Sequence, residues 1–474
     1  MIVMKFGGTS VKNAGDLANV AQIVTDHIHE NPLVVLSAGA GVTDALIDIA
    51  HTAADSDPDG ALERVEALRT RHFKTARNLL REKHAAGVIS ILHKQFDELE
   101  TLVKGIAIVR ELTPRVLDHF MSFGEQWSCL LFEQKLLQDG LPIAWIDSRE
   151  ILITDDDYNK SNPFLDPTCD RLRQHISPLL ASKTLVVTQG FVGATQHGAT
   201  TTLGRGGSDY TAAIFGSLLH ADEIQIWSDV SGVLTADPAI VPDARPVRRL
   251  TFNEAAELAY FGAKVLHPGT ILPAIKKNIP VRVLNSHRPD DKGTLITADL
   301  PTPDNGLIPN GDNVVKSIAH RTGITIIRLR NTRMLMAHGF LAKVFGIFAR
   351  YKTTVDVIAT SEVGISLTID NTAYLDRIAD GLRDIADVQI QPEMAVFSIV
   401  GENMRKVRGI AGRIFTALGD AGITIELISY GGSEINVTFV VHENDVKGAL
   451  LTLHEKIFER KTQPRKRIMK AVAT

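Results

Sequence analysis

Several short segments combine glycine with charged or hydroxylated residues in patterns that suit the binding of phosphate and amino-acid groups. The first is KFGGTS at residues 5–10, which directly follows an apolar run. Glycines lack a Cβ, so backbone N–H groups at Gly7 and Gly8 can approach an anion closely, and Lys5 adds a positive charge beside them. The segment favours a phosphate site; a tight strand–helix turn with a surface lysine is the alternative interpretation.

A second glycine-rich segment, SAGAGVT, occupies residues 37–43 and again follows an apolar run. It contains Gly39 and Gly41 but lacks the third glycine of a dinucleotide-binding fingerprint, because Asp44 stands at that position. No Gly-x4-Gly-Lys-Ser/Thr pattern occurs in the chain, which excludes a P-loop. A Rossmann dehydrogenase therefore has little support from the sequence.

The third segment, TLGRGGSD at residues 202–209, surrounds an arginine with three glycines and ends in a carboxylate. Arg205 can clamp a carboxylate through two parallel hydrogen bonds, and Asp209 can orient an ammonium group, a lysine or a metal ion. A surface loop capped by Asp209 is the alternative. The density of special residues favours the functional interpretation.

Three further segments carry isolated charged residues. WSDVSGVLTADP at residues 227–238 follows an apolar run, and open α/β sheets bind ligands beyond such strand ends. SFGE at residues 122–125 contains Glu125, and FGAKVLHP at residues 261–268 contains Lys264. Either residue could take part in a site, and the alternative is that its charge is structural or solvated. The three adjacent aspartates at residues 155–157 point in different directions, so we interpret them as solvated rather than as a metal site.

Regular elements must position these segments, and the first 300 residues alternate apolar runs with helical patterns. Apolar runs predict strands at residues 2–6, 33–37, 143–146, 184–188, 223–227 and 281–284. Helical spacing of apolar side chains predicts helices over residues 13–30 and most of residues 58–140. This alternation predicts an α/β fold in which a mostly parallel sheet lies between helices.

The C-terminal part of the chain repeats itself. GFLAKVF at residues 339–345 resembles GIAGRIF at residues 409–415. The same offset along the chain relates Val355 to Ile425 and Asp356 to Glu426. Each copy is predicted to run strand, helix, strand, turn, strand, so the sequence predicts two small α+β modules. Modules of this size bury little core alone, which suggests that they pair within or between chains.

The bulk composition limits the classes of function. The chain has 474 residues with 51 basic and 55 acidic side chains, a net charge of −4. This balance gives no global attraction to nucleic acid, and no apolar run is long enough to span a membrane. With two cysteines and an N-terminus unlike a signal peptide, we expect a cytoplasmic protein that binds neither nucleic acid nor membrane.

Four segments in order, KFGGTS, SFGE, TLGRGGSD and FGAKVLHP, followed by a duplicated α+β module, resemble the aspartate kinases, and most of all the lysine-sensitive, single-function members. The resemblance implies an α/β amino-acid kinase fold followed by two α+β ACT domains. The implied boundaries are residues 1–298 for the kinase domain, 299–312 for a linker, 313–392 and 393–460 for the ACT domains, and 461–474 for a basic tail.

The resemblance also implies a reaction and its residues. The expected activity is ATP- and Mg²⁺-dependent phosphorylation of the L-aspartate side chain, the first step towards lysine, threonine and methionine. The implied catalytic residues are Lys5, Asp209 and Lys264, and the implied substrate contacts are Ser37, Thr43, Glu125 and Arg205. The nucleotide would be bound by Lys5, Gly7, Gly8, Gly39, Gly41, Ser228, Asp229, Leu234 and Lys264. Members of the family usually have tyrosine at Leu234 and arginine at Ala239, so we expect weakened ATP binding here.

For the C-terminal modules the resemblance implies feedback inhibition by L-lysine and assembly into a homodimer or homotetramer. The implied effector-binding residues are Met334, Gly339, Phe340, Leu341, Val355, Asp356, Thr360, Ser361 and Glu362. Asp356 and Glu362 could pair with an effector ammonium group. Two alternatives stay open on the sequence: another kinase of the same fold, and a non-catalytic amino-acid sensor.

Overall fold

The computed structural model describes residues 1–262, 268–299, 314–330, 338–430 and 434–458. Lys264, Met334, most of the predicted linker at residues 299–312 and the predicted tail at residues 461–474 lie outside the described residues. The chain divides into two compact units. The first contains residues 1–233, 246–260 and 268–299, and the second contains residues 234–245, 261–262 and the described residues from 314 onward.

The first unit contains strands and helices in alternation. Its strands are β1 Ile2–Phe6, β2 Leu33–Leu36, β3 Ile143–Trp145, β4 Ile153–Thr154, β5 Leu185–Gln189, β6 Val192–Thr195, β7 Thr200–Thr202, β8 Glu223–Ser228, β9 Arg249–Thr251, β10 Val281–Asn285 and β11 Thr294–Thr297. Its helices are α1 Ala14–Asp26, α2 Val42–Ala54, α3 Pro58–Leu79, α4 Glu82–Val109, α5 Pro114–Gln138, α6 Ser148–Ile151, α7 Leu165–His175, α8 Ser177–Ala181, α9 Gly207–Leu218, α10 Phe252–Tyr260 and α11 Leu272–Lys276.

The main sheet of the first unit is mostly parallel. Within the described residues its strand order is β3-β5-β2-β1-β8-β10-β11-β9, and only β10 and β11 pair antiparallel. Strand β1 lies between β2 and β8, with Phe6 beside Leu36 on one side and Trp227 on the other. The prediction of a mostly parallel α/β sheet is therefore confirmed. This register places the C-terminal ends of β2, β1 and β8 at one edge of the sheet, and a predicted motif lies at the end of each of these strands.

A layer of long helices supports one face of this sheet, as the helical spacing over residues 58–140 predicts. Asp57 and Thr113 cap α3 and α5 by accepting N–H bonds, and a proline opens each helix. The layer buries Phe96, Trp127 and His72, with the His72 and Trp127 ring centroids 4.6 Å apart. Burial lowers the pKa of His72 to about 4, so a neutral imidazole belongs to the folded core at pH 7.

Two parts of the first unit differ from the sequence-based expectation. The helix predicted over residues 13–30 ends at Asp26, and a short 3₁₀ turn at Ile28–Glu30 follows before Asn31 adopts a left-handed conformation. The small sheet of β4, β6 and β7 was not predicted. Its strands have two to four residues each, which is too short for a strand period to be visible in the sequence.

The second unit repeats its elements at the predicted offset. Its elements are β12 Ser317–Arg330, α12 Phe340–Arg350, β13 Ile358–Thr360, β14 Gly364–Ile369, α13 Leu375–Arg383, β15 Asp387–Val400, α14 Ile410–Asp420, β16 Leu427–Tyr430, β17 Asn436–His442 and α15 Val446–Phe458. The number of residues from the start of β12 to the start of β15 equals that from the start of α12 to the start of α14. The same number separates the two copies of the repeated sequence. The duplication is therefore confirmed, and each copy ends with a further helix that was not predicted.

The two copies share one antiparallel sheet with the order β13-β14-β12-β15-β17-β16 among the described residues. The two long strands join the copies, because β12 pairs with β15 from Ser317 to Arg330. Residues 234–245 pack with this unit, although they come early in the chain. Ala236 and Val241 lie in its apolar core, and the Ser317 hydroxyl donates to the Leu234 carbonyl oxygen at 2.7 Å.

No helix in the described part of the chain is both long and apolar enough to cross a membrane.

Candidate active site

An ion pair lies at the centre of the strand-end edge of the main sheet. Lys5 points out from β1, and its Nζ lies 2.6 Å from Oδ1 of Asp209 in the first turn of α9. The two side chains are 11% and 17% exposed, so the pair is shielded from bulk water but reachable. A carboxylate in the first turn also favours the positive end of the helix dipole. The pair joins the first and third predicted motifs.

The two glycine-rich turns after β1 and β2 contact each other closely. A Cβ on Gly8 would lie 2.7 Å from the Ala38 carbonyl oxygen, so only glycine fits there without displacing the backbone. The Ala40 N–H donates to the Gly8 carbonyl at 2.9 Å, and the Gly7 N–H donates to the Trp227 carbonyl at 2.9 Å. The structure thus brings the predicted segments 5–10 and 37–43 into one glycine-lined wall beside Lys5.

Glu125 reaches the same place from helix α5. It is 3% exposed, and the Ala38 N–H donates to its carboxylate, while its Oε2 has no hydrogen-bond partner among the described residues. Burial raises the pKa of Glu125 to about 8, against the lowering effects of the Ala38 N–H and the Lys5 charge. Such a carboxyl group favours a cationic partner that would stabilise its ionised form.

These groups line one cavity of about 550 Å³ within the first unit. All of the predicted substrate contacts lie on it: Ser37, Thr43, Glu125 and Arg205, together with Lys5 and Asp209. It therefore presents two cations and two carboxylates to a small ligand. The arrangement suits a molecule that itself carries both carboxylate and ammonium groups.

Other residues on the cavity were not predicted from the sequence. Asn159 and Phe191 come from loops beside the small sheet, and Leu117 and Met121 come from α5. Leu117, Met121 and Glu125 are spaced by four residues along one helix, so they share a face. That spacing was a usable signal in the sequence, whereas nothing local marks Asn159 or Phe191.

The predicted nucleotide contacts are distributed along the same sheet edge. Ser228 ends β8 and Asp229 follows it, and their carbonyl oxygens accept from Ser286 N–H at 2.8 Å and Asn285 Nδ2 at 3.2 Å, respectively. Gly7, Gly8, Gly39 and Gly41 belong to the neighbouring turns. Leu234 lies in the segment that packs with the second unit, and Lys264 lies outside the described residues.

Comparison with known proteins agrees with this geometry. The Amino acid kinase family matches residues 1–285, and an ACT domain matches residues 397–457. Lysine-sensitive aspartokinase 3 of Escherichia coli is 35% identical, and the match covers 97% of this chain and 99% of that protein. Aspartokinase 1, chloroplastic, of Arabidopsis thaliana is 38% identical over 96% of this chain and 80% of its own length.

The chain belongs to the aspartokinase family.

Solved structures of E. coli aspartokinase III have the same fold over nearly the whole chain. The complex with aspartate and ADP superimposes with a TM-score of 0.81 at 34% identity, covering 97% of this chain and all of that one. The complex with lysine and aspartate gives a TM-score of 0.79 with the same coverage. The predicted amino-acid kinase fold with C-terminal ACT architecture is confirmed.

Among the described residues, the predicted effector residues of this aspartokinase chain do not all line one cavity. Asp356 is 3% exposed, and its Oδ2 lies 2.5 Å from Nη2 of Arg321, which also contacts Asp370 at 3.1 Å. Thr360 and Ser361 instead line a cavity of about 530 Å³ on the sheet of the second unit, which does not include Asp356 among its described lining residues.

The remaining effector candidates have different environments. Gly339 adopts a left-handed conformation at the start of α12, the Phe340 side chain lies in the core, and Leu341 is 47% exposed. Val355 is partly buried and Glu362 is exposed, while Met334 lies outside the described residues. For Gly339 and Phe340 the backbone, rather than a side chain, is available to a ligand.

Among the described residues no group of three or more histidine, cysteine, aspartate or glutamate side chains could hold a metal ion. Asp155 instead closes its own loop, accepting from Asn162 N–H at 2.9 Å and Asn162 Nδ2 at 2.8 Å. Asp209 lies on the cavity and pairs with Lys5 beside the glycine-lined wall. Mg²⁺ commonly takes one or two carboxylates plus substrate phosphates, and these residues fit that mode.

Proposed function

We propose that the cavity of the first unit is the place where this aspartokinase transfers the γ-phosphoryl group of ATP to the side-chain carboxylate of L-aspartate. The products are ADP and 4-phospho-L-aspartate. The observation that carries the proposal is the convergence of Lys5, Glu125, Arg205 and Asp209, from separate sequence motifs, on one cavity of about 550 Å³. Their charges complement the two carboxylates and the ammonium group of aspartate.

Substrate orientation follows from these charges. The Arg205 guanidinium binds one aspartate carboxylate through a bidentate pair, and Glu125 accepts from the ammonium group. Ser37 and Thr43 add hydroxyl contacts from the second glycine-rich turn. Because the attacking carboxylate is already ionised at neutral pH, the reaction needs no general base, and positioning supplies most of the rate.

Charge stabilisation falls to the groups beside the glycine-lined wall. Lys5 neutralises the phosphoryl group in transfer, Asp209 holds Lys5 in place through the 2.6 Å ion pair, and Lys264 contacts the nucleotide phosphates. Backbone N–H groups at Gly8, Gly39 and Gly41 face phosphate oxygens. Gly7, whose N–H already donates to the Trp227 carbonyl, contributes only close approach because it has no side chain. Ser228, Asp229 and Leu234 contact the nucleotide. Mg²⁺ would be held by the phosphates and Asp209, supplying charge neutralisation for the departing ADP.

The ACT region binds L-lysine as a feedback inhibitor in this proposal. Asp356 is a buried carboxylate that already holds a cation, Arg321, and an effector ammonium group can take that place. Thr360 and Ser361 lie on a cavity in the same sheet. A second copy of the chain would bring further groups to this site, which supports a homodimer or homotetramer. Ile358, Ile428 and Tyr430 on the edge strands are 38–44% exposed and would be covered by such a partner. A cytoplasmic location stays a prediction.

The test is ADP release from Mg-ATP by the full chain, measured with and without L-aspartate, and with Arg205→Ala beside the unsubstituted protein. The proposal expects aspartate-dependent turnover and a Michaelis constant for aspartate at least tenfold higher in Arg205→Ala, with the constant for ATP little changed. Turnover that does not depend on aspartate, or an Arg205→Ala variant that binds aspartate normally, would contradict it.

A further inference from the structure

Helix α5 contains a second buried carboxylate that the proposed reaction does not use. Asp118 is 0% exposed. Desolvation raises its pKa, while hydrogen bonds from Thr202 and Asn159 act in the opposite direction. Burying a carboxylate is costly unless hydrogen bonds compensate, so its position calls for a role.

The hydrogen bonds of Asp118 join two loops that border the cavity. The Asn159 N–H lies 3.1 and 3.0 Å from the two carboxylate oxygens. The Thr202 N–H donates to Oδ2 at 3.0 Å, and the Thr202 hydroxyl donates to Oδ1 at 2.5 Å. Asn159 and Thr202 are 41 and 84 residues from Asp118 in sequence. The Asp118 carboxylate therefore connects two segments that are distant along the chain.

Both segments that are hydrogen-bonded to Asp118 lie next to Arg205. Thr202 ends β7 and stands three residues before Arg205. Gly204 adopts a left-handed conformation with φ of +74°, and a Cβ there would lie 2.9 Å from the Asn159 carbonyl oxygen. The turn that contains Arg205 therefore packs against the backbone of Asn159, and the Asn159 N–H in turn donates to Asp118. Arg205 itself is exposed, so its direction depends on this turn.

The helix also sets the distance between the two substrate-binding charges. Asp118 and Glu125 are seven residues apart, which is two turns, so they lie on one face of α5. One rigid helix thus carries the carboxylate for the substrate ammonium and the carboxylate that anchors the arginine turn.

We propose that Asp118 is a positioning residue for phosphorylation of aspartate: it fixes the Thr202–Arg205 turn so that the Arg205 guanidinium meets the substrate carboxylate. Asp118 does not touch the substrate. The inference rests on the proposed role of Arg205. It predicts that loss of the Asp118 bonds impairs aspartate binding selectively, because the nucleotide contacts lie on other segments.

The first variant is Asp118→Asn, which keeps the size but leaves a single acceptor oxygen for bonds that now use two. We expect the Michaelis constant for aspartate to rise at least tenfold, with that for ATP within twofold of the unsubstituted enzyme. Hydrogen–deuterium exchange of the peptide containing residues 202–207 should increase. The matched control is Glu223→Gln, a partly buried carboxylate that pairs with Arg282 at the start of β8, away from the cavity; both constants should stay unchanged.

A milder pair of variants covers the case in which Asp118→Asn does not fold. Thr202→Val removes only the hydroxyl bond and should raise the Michaelis constant for aspartate several-fold, while Thr202→Ser should restore it. In a folded Asp118→Asn background, Thr202→Val should have a smaller effect than in the unsubstituted enzyme, because the hydrogen-bond network to which the hydroxyl belongs is already weakened.

The outcomes separate this inference from the proposed function. If Arg205→Ala impairs aspartate binding but Asp118→Asn and Thr202→Val do not, the positioning role is wrong and the proposed function stands. A fall in active enzyme with both Michaelis constants unchanged would make Asp118 merely structural and also overturn the inference. If Arg205→Ala binds aspartate normally, the proposed role of Arg205 fails and this inference fails with it.

Discussion

The two units hold their ligand-binding charges in different ways. In the first unit the predicted substrate-binding residues converge on one cavity with Lys5 and Asp209, which pair at 2.6 Å, and Glu125 keeps one oxygen unpartnered among the described residues. In the second unit Asp356 is already paired with Arg321, and Thr360 and Ser361 line a cavity that does not include it among the described residues. One chain thus assembles the proposed catalytic cavity, whereas the proposed effector site needs a rearranged ion pair or groups from another chain.

This difference follows from the two kinds of sheet. Neighbouring parallel strands end at the same edge, so motifs far apart in sequence meet there without help from another chain. The antiparallel sheet of the ACT region instead alternates strand directions, and its described candidate residues are spread over the start of α12, the segment before β13, the end of β13 and the turn after it. We therefore expect substitutions in the first unit to change turnover and substitutions in the second to change regulation.

The largest expected effect is on turnover, from Lys5→Met. Removal of the cation beside the transferring phosphoryl group should lower kcat by about 10²–10³-fold, the loss typical of one stabilising group of this kind. Lys12→Met, which removes a 46% exposed lysine a few residues away, is the matched control and should turn over normally. Steady-state ADP release measures both, and equal rates for the two variants would remove Lys5 from the catalytic group.

Glu125→Gln should raise the Michaelis constant for aspartate by about 10–100-fold, since a charge-assisted hydrogen bond is worth about 1.5–3 kcal/mol. The pH dependence gives a sharper test. With a pKa of about 8, Glu125 is mostly neutral below pH 8 in the free enzyme, so aspartate binding should strengthen as the pH rises from 6 towards 8.

In Glu125→Gln this rise should disappear, because no group titrates at that position. Michaelis constants for aspartate at half-unit pH steps measure it. A profile with the same slope in both proteins would show that another group is responsible.

Asp356→Asn should weaken inhibition by lysine while leaving kcat close to that of the unsubstituted enzyme. A hydrogen bond to a charged group is worth about 1.5–3 kcal/mol, so the half-inhibiting lysine concentration should rise by about 10–150-fold if the effector ammonium pairs there. Asp370→Asn is the matched control, because Asp370 is a second carboxylate on Arg321 and its loss should leave inhibition intact. Unaltered inhibition in Asp356→Asn would place the effector elsewhere.

The smallest expected effect comes from Leu234, which belongs by sequence to the kinase region but packs with the second unit. Leu234→Tyr should lower the Michaelis constant for ATP about two- to tenfold, in line with the roughly 0.5–1.5 kcal/mol that an added aromatic contact commonly supplies. Lysine inhibition should not change. Leu234→Phe distinguishes the effect of the aromatic ring from that of the tyrosine hydroxyl. If the Michaelis constant for ATP is unchanged in both variants, residue 234 does not contact the nucleotide.

The proposed catalytic cavity was largely predictable because several of its residues sit in glycine-rich segments. Lys5, Arg205 and Asp209 each carry that local signal. Asp118 and Asn159 do not, since their importance arises from bonds between segments 41 residues apart. The pairing of Asp356 with Arg321, 35 residues away, likewise depends on how β12 faces the turn before β13. Tertiary contacts of this kind leave no pattern in neighbouring residues.

The elements of the fold show the same division. The buried parallel strands at residues 2–6, 33–37, 143–146, 184–188, 223–227 and 281–284 were predicted within one residue at each end. The helical character of residues 58–140 was predicted from its sustained period, but not the separate ends of its three helices. The duplication was visible because one constant offset relates the matching segments of the two copies, and the same offset recurs in β12 and β15. Short strands such as β4 and β7, and the packing of residues 234–245 with the second unit, could not be predicted because they depend on contacts rather than on periodicity.

The most direct test of the comparison is ADP release from Mg-ATP with L-aspartate, measured across lysine concentrations for the unsubstituted protein and for Asp356→Asn. We predict aspartate-dependent turnover in both, with suppression of Asp356→Asn only at lysine concentrations at least about tenfold higher than those that suppress the unsubstituted protein. Absence of aspartate-dependent turnover, or equal suppression in both proteins, would contradict the separation of a catalytic cavity in the first unit from an effector site in the second.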